Sequence, residues 1–387
     1  MAAHAKLSAS GSKKWITCTP SAHLEGQFTD EGSSYAAEGT FMHSLFEHRV
    51  GAYLGRWPLN EQKFALDPFW NQELSDSVQD AVAKAIERID YARSVCADPV
   101  ILLEQRLDYS VWVPGGFGTG DMVIITDDCI EVLDLKGGSG VPVSAYQNSQ
   151  FRLYQLGAYH TFGSLYDAKM LRGTVLQPRL HNYSSEELSV EELLAWAKEV
   201  VVPAAKLAWA GEGEFVPGEH CSSGFCKARF TCAARAKANM EIAKAEFAFM
   251  DPALLSNDEI AKVLAKADQA IKWLNDVQTY ALAQAEKGQV YAGFKLVEGR
   301  SNRKYKNQDA VAQALTAAGF PEAVIYERSL LGITAMEKAI GKKKFAELLT
   351  TLVEKPTGKP VLVAVADKRE AINSTAAAVG DFSTTGT

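Results

Sequence analysis

The apolar positions change period along the chain. FMHSLFEHRVGAYL (41–54) continues a helix expected to start near Ala36, and DSVQDAVAKAIERIDYARSV (76–95) repeats apolar residues at helical spacing. VILLEQRLDYSVWV (100–113) shifts to strand character, and DMVIITDDCIEVLDLK (121–136) reads as two β-rich runs around a short polar turn. AYQNSQFRLYQLGAYHTF (145–162) reads as a helix and KMLRGTVLQPRL (169–180) as a further strand. SEELSVEELLAWAKEVVVPAAKLAWA (185–210) reads as a helix or helix pair opened by a capping-type SxEEL segment. Helix, three strands, helix and strand between 36 and 177 predict an α/β core, a mixed central sheet flanked by helices.

Around this core the pattern weakens. Residues 1–35 are polar and Ser/Gly-rich apart from WITCTPSAHL, and are expected to be an N-terminal segment contributing Cys18. The core is expected over 36–235, closed by the cysteine-rich HCSSGFCKARFTC (220–232). A helical connector is expected over 236–290, a basic C-terminal α+β module over 291–370 and a loose tail over 371–387.

The two β-rich runs can be registered against each other. If Asp127 and Asp128 form the loop of a tight hairpin, Thr126 pairs with Cys129 and every pair of positions sums to 255. Asp121 then stands opposite Asp134, and cross-strand partners share a face. Alternation adds Lys136 to that face, at the end of a strip made by Val123, Ile125, Ile130 and Val132. Two opposed carboxylates repel unless a proton or cation lies between them, and oxygen ligands suit Mg²⁺ or Mn²⁺. A surface ion pair at a strand end is the plainer alternative. Gly137 and Gly138 are expected to let backbone approach a substrate closely.

Three further features bear on this. His43 and Glu47 share a helical face, with His48 rotated away; Gln150 and Tyr154 share another shortly after DLKGG. Glu104 interrupts the apolar ILLEQRL, which an edge strand would explain. Each also fits an ordinary structural role.

Composition sets outer limits. Hydrophobic residues make up 47% and charged residues 22% of 387, the balance of a globular protein. The net charge of −7 argues against coating nucleic acid by bulk charge, but not against gripping it locally. No apolar run approaches the ~20 residues of a membrane span, and the N-terminus lacks a signal-peptide core, so a cytoplasmic protein with no membrane partner is expected.

Taken together, GTxxH (39–43), GTGD (118–121), DLK (134–136) and QxxxY (150–154) resemble the motif set of the RecB-like branch of the PD-(D/E)XK nucleases, over roughly residues 36–235. The resemblance implies that His43, Asp121 and Asp134 bind metal with the backbone carbonyl of Leu135. It implies that Lys136 serves the attacking water and that Gln150 and Tyr154 contact DNA or brace the site. Glu104 matches an acidic position of some relatives, as a ligand to a second metal or a residue behind the ligands. Asp134 stands where many relatives have Glu.

Cys221, Cys226 and Cys232 form a compact trio that lacks a fourth ligand; His220 is adjacent. In iron–sulfur members of the RecB-like nucleases one cysteine precedes the core and three follow it, and Cys18 with the trio resembles that arrangement. The resemblance implies a [4Fe-4S] cluster; Zn²⁺ and unligated thiols remain alternatives. Cys96 and Cys129 fall outside it and read as ordinary packed residues.

Arg300, Arg303, Lys304, Tyr305 and Lys306, with Lys342, Lys343 and Lys344, can hold a phosphate backbone and stack a base, or form a solvated charged face. These segments and GKPVLVAVADKREAI (358–372) resemble a phage-encoded family of undefined function that carries the nuclease core. The expected activity is therefore metal-dependent hydrolysis of DNA, as an exonuclease of phage recombination or replication. An implied partner is a phage single-strand-binding or annealing protein. The rival expectation is a non-catalytic DNA-binding or scaffold protein that keeps the fold.

Overall fold

The computed structural model describes residues 5–28, 34–247, 257–297, 306–326, 330–349 and 352–353. The chain divides into two units, Met1–Gly288 and Gln289–Thr387. The first opens with helices α1 (Ser12–Thr17), α2 (Ser21–Glu25), α3 (Ser34–Tyr53), α4 (Gln62–Ala65) and α5 (Gln72–Val95). Strands β1 (Val100–Asp108), β2 (Phe117–Ile125) and β3 (Cys129–Leu135) follow, then α6 (Ser149–Ala158), α7 (Ser164–Tyr166), β4 (Met170–Gln177) and β5 (Asn182–Ser189). Helices α8 (Val190–Trp196), α9 (Val202–Ala210), α10 (His220–Ser223), α11 (Ala233–Phe247) and α12 (Asn257–Glu286) complete it.

The strands form one mixed sheet in the order β1-β2-β3-β4-β5, antiparallel except for the β3–β4 pair, which α6 connects. Parallel neighbours need a crossover of this kind. The hairpin turns at Asp127-Asp128: Thr126 N–H donates to the Cys129 carbonyl, and the pairs Ile125–Ile130 to Met122–Leu133 keep the sum of 255.

Alternation along this hairpin makes two cores. Val123, Ile125, Ile130 and Val132 face α6 and pack with Leu153 and Leu156. Met122, Ile124, Leu133 and Leu135 face the other way, onto Met42, Leu45 and Phe46 of α3 and Val78 and Val82 of α5. At the turn end of the sheet, buried Glu131 takes Arg88 at 2.8 Å and Arg172 at 3.3 Å and accepts from Thr174, tying α5, β3 and β4 together.

Two expectations need correction. Residues 185–188, read as the opening of a helix, belong to the outer strand β5; the SxEEL of that segment, Ser189–Leu193, is the capping box, where Ser189 and Glu192 bond reciprocally at the start of α8. The polar-looking N-terminal segment also supplies core: Leu7, Ala9 and Trp15 are buried with Leu107 and Val123.

In the second unit the described elements are helices: α13 (Gln308–Ala317), α14 (Glu322–Ile325), α15 (Ile333–Ile340) and α16 (Lys342–Leu349). The strand-like segment 358–372, the tail 371–387 and Arg300, Arg303, Lys304 and Tyr305 lie outside the described residues. Among the described residues no helix is long and apolar enough to cross a membrane.

Helix α6 lies close on the sheet because Gly157 meets β1 without a side chain. A Cβ there would sit 2.9 Å from Leu107 Cβ and 3.0 Å from its carbonyl carbon. Crowding of this kind costs about 1–3 kcal/mol, more than the ~1 kcal/mol that alanine gains over glycine in a helix. Gly157→Ala should therefore lower stability in a urea titration, by about 1 kcal/mol net. An unchanged or raised midpoint would show that α6 has room to move.

Candidate functional site

Five elements converge at the end of the hairpin opposite its turn. Asp121 of β2 is 5% exposed and divides its carboxylate: one oxygen lies 2.7 Å from His43 Nδ1 on α3, and the other accepts from Leu135 N–H of β3 at 2.5 Å. Glu104 of β1 brings a carboxylate oxygen to the same place. Ligand atoms of His43, Glu104 and Asp121 all lie within 4.8 Å of one another.

Glu104 reaches the site through a break in the strand. Its φ is +47°, a left-handed conformation that costs a non-glycine residue roughly 1–3 kcal/mol. Leu102 packs on the α6 side and Leu103 on the α3 side, yet Leu107, four residues after Leu103, is back on the α6 side. Beta2 changes face at the same level: Met122 packs on the α3 side, whereas a Cβ on Gly120 would meet Val132 and Leu107 on the α6 side. The regular pairs run to Leu103–Met122 and resume at Gln105–Gly120. Breaks of this kind re-aim side chains, and here they fall on the two acidic residues.

A second chain of contacts runs along the α6 side. Lys136 Nζ lies 2.7 Å from Asp134 Oδ2 and donates to Gln150 Oε1 at 3.1 Å. Gln150 Nε2 in turn donates to Tyr154 OH at 3.0 Å. Asp134 Oδ2 is fully covered, and the ion pair with Lys136 leaves it without a well-directed hydrogen bond. Tyr154 fits because Gly118 lacks a side chain; a Cβ there would be 2.4 Å from its ring.

The charges are strongly coupled. Burial works against a charged His43, but Asp121 and then Asp134 outweigh it and raise its pKa to about 9. Burial, then Asp121, raises Glu104 to about 7. Burial also raises Asp134, against the pull of Lys136. The three carboxyl groups thus crowd one another, and His43 and Lys136 are the basic groups set against them.

His43, Glu104, Asp121, Asp134, Leu135, Lys136, Gln150 and Tyr154 lie at this end of the sheet in an altered grouping. The regular hairpin pairs stop at Met122–Leu133, and Asp121 does not pair with Asp134 as the register predicted. Asp134 stands with Lys136, and Glu104 completes the set around His43 and Asp121. Leu135 engages Asp121 through its N–H. Gly137 serves packing, because a Cβ would lie 2.6 Å from Met42 Sδ, next to His43; Gly138 alone of the pair faces open space. His48 belongs to a structural contact, stacked on Trp57 and accepting from Asn60 N–H. Met42 was not anticipated, since nothing in the sequence pairs it with Gly137.

At the other end of the unit's chain, Cys18, Cys221, Cys226 and Cys232 line one cavity with His220. Cys96 and Cys129 are outside it. Burial raises Cys18 and raises Cys226 to about 11, while backbone N–H groups of Val216 and Ser21 at Cys18, and of Ala228 at Cys226, favour the thiolates. Burial holds His220 below its usual pKa. Glu25 clamps the cavity's two sides, pairing with Lys14 at 2.8 Å and accepting from Lys227 N–H at 2.8 Å.

Among solved structures, one described as "Crystal structure of SSO0001" is similar at 14% identity, over 58% of this chain and 96% of that one, with a TM-score of 0.22. So loose a superposition carries nothing further about fold or activity. The match to a family model is extensive: residues 4–370 fit the family described as "Protein of unknown function (DUF2800)", and the chain belongs to that family.

Proposed function

We propose that the protein is a divalent-metal-dependent deoxyribonuclease with a RecB-like PD-(D/E)XK core, acting as an exonuclease in phage DNA recombination or replication. The observation that carries this reading is the meeting of His43, Glu104, Asp121, Asp134, Lys136, Gln150 and Tyr154 at one sheet end, from segments far apart in sequence. A merely structural ion pair would not need the break at Glu104.

The donor set fits Mg²⁺ or Mn²⁺. One imidazole and two carboxylates within 4.8 Å offer nitrogen and hard oxygen ligands, and with the imidazole neutral the two carboxylates balance a divalent charge. His43, Asp121 and Glu104 would hold it, with Asp134 and the Leu135 carbonyl beside them. Such an ion, when bound, polarises a phosphoryl oxygen and lowers the pKa of coordinated water. Leu135 N–H fixes the Asp121 carboxylate so that its other oxygen faces His43. Lys136, steered by Asp134 and Gln150, presents an ammonium to a phosphate oxygen or the attacking water. Tyr154 keeps Gln150 in place.

The cysteine cavity is assigned a [4Fe-4S] cluster. Four thiols line that one cavity, the donor set such a cluster takes. Tetrahedral zinc is the rival occupant of the same four thiols, and metal analysis of the purified protein distinguishes the two. Exposed Lys306, Lys343 and Lys344 are the described part of the basic C-terminal surface assigned to DNA. A phage single-strand-binding or annealing protein is the partner this activity calls for.

End-labelled single- and double-stranded DNA in Mg²⁺ and in Mn²⁺ tests the activity. Asp121→Ala and Lys136→Ala should each slow cleavage about a hundredfold or more with far-ultraviolet circular dichroism unchanged. Cleavage by purified Lys136→Ala at the wild-type rate would exclude the assigned chemistry.

Proton and metal also compete for His43. A folded pKa near 9, above the ordinary 6.5, means that the imidazolium stabilises the metal-free protein below pH 6.5, and that this is lost as pH rises through 9. Mg²⁺ requires the neutral ring, so its affinity by calorimetry should rise about tenfold per unit between pH 7.5 and 8.5 and level off above 9. His43→Asn should flatten that rise. A pH-independent wild-type affinity would remove His43 from the ligand set.

A further inference from the structure

One buried hydroxyl in the cysteine cavity has no use in the protein alone. Ser21 opens α2 and lines the cavity beside Cys18, and the residue is 4% exposed. Its Oγ has no exposed surface and no hydrogen-bond partner. Among the described residues, the other buried side-chain atoms in that condition, on Asp134, Gln155 and Asn239, belong to residues away from this cavity. A hydroxyl denied both water and an acceptor is unfavourable unless something inside the cavity accepts its proton. The neighbouring polarity points the same way. Ser21 N–H is taken by the Cys18 carbonyl at 2.9 Å, so the hydroxyl is the polar group of Ser21 left over, and Lys14 and Arg229 also line the cavity. Four thiols and one unsatisfied donor therefore face a space whose fitting occupant is rich in sulfur acceptors.

We propose that Ser21 Oγ–H donates a hydrogen bond to a sulfur of the cluster held by Cys18, Cys221, Cys226 and Cys232, and raises its reduction potential. This rests on the cluster assignment above. Reduction adds an electron to the cluster and leaves every bond in place; a donor to sulfur favours the more negative, reduced state. Ser21 is a positioning and tuning residue, not a ligand.

The test uses the full-length protein, purified anaerobically as wild type, Ser21→Ala and Ser21→Thr, with iron, zinc and sulfide measured first. All three should carry equal iron. In a redox titration followed by electron paramagnetic resonance, Ser21→Ala should shift the equilibrium about tenfold toward the oxidised cluster, about 59 mV for one electron. Ser21→Thr, which keeps the hydroxyl, should titrate with wild type. In cluster-free protein the sign reverses: Ser21→Ala removes an unpaired buried group and should unfold at the same or a higher temperature. Iron in wild type with an unchanged Ser21→Ala potential would overturn the hydrogen bond and leave the cluster standing. A lower unfolding temperature for cluster-free Ser21→Ala would also overturn it, by revealing a partner within the protein. Zinc in place of iron would overturn the cluster assignment, and the tuning role with it.

Discussion

The Asp121 carboxylate serves two partners, and the candidate site is organised around that division. One oxygen is fixed by Leu135 N–H, which belongs to the neighbouring strand, and the other is turned to His43 on a helix across the sheet face. Burial makes the arrangement sensitive, because a covered carboxylate that lost either partner would be left poorly solvated. Helix α3 must then come down at one height, and Gly137 permits it by leaving space for Met42. The break at Glu104 and Asp121 turns both acidic residues to meet that helix. The backbone cost at Glu104 is offset only if its carboxylate gains something there, and a shared cation is the gain that the local charge favours.

A second constraint ties the ends of the first unit. Helices α1 and α2 carry Cys18 and Glu25 to the loop that carries the other three cysteines, with Trp15 buried in the core on the α6 side. Ser12 Oγ and Ser149 Oγ meet at 2.6 Å, at the start of the helix that bears Gln150 and Tyr154. The cavity and the acidic site are thus joined through α1 and α6. Disturbing the cysteines should be felt at α6 through packing, whether or not electrons ever move.

What the sequence made legible follows from where side-chain alternation is informative. A two-residue acidic turn between alternating apolar runs fixed the hairpin register as far as Met122–Leu133, and the 3.6-residue spacing of α5 marked its buried face. Alternation could not announce its own interruption. The change of face at Glu104 is a backbone event with no glycine to mark it, so the carboxylate was visible as an oddity and its direction was not. Strand β5 was hidden because an outer strand with polar residues on both faces resembles a helix start. Cys18 is too far from the trio for spacing to join them; only a resemblance to a cluster-bearing family did so.

The central claim, that His43, Glu104 and Asp121 take a divalent cation, is most directly tested by Mn²⁺ bound to the full-length protein. Electron spin-echo spectroscopy reports nitrogen coupled to the metal. Wild type should show histidine nitrogen modulation, lost in His43→Ala while the protein stays folded. Modulation that is absent from wild type at saturating Mn²⁺, or that persists unchanged in His43→Ala, would contradict the site.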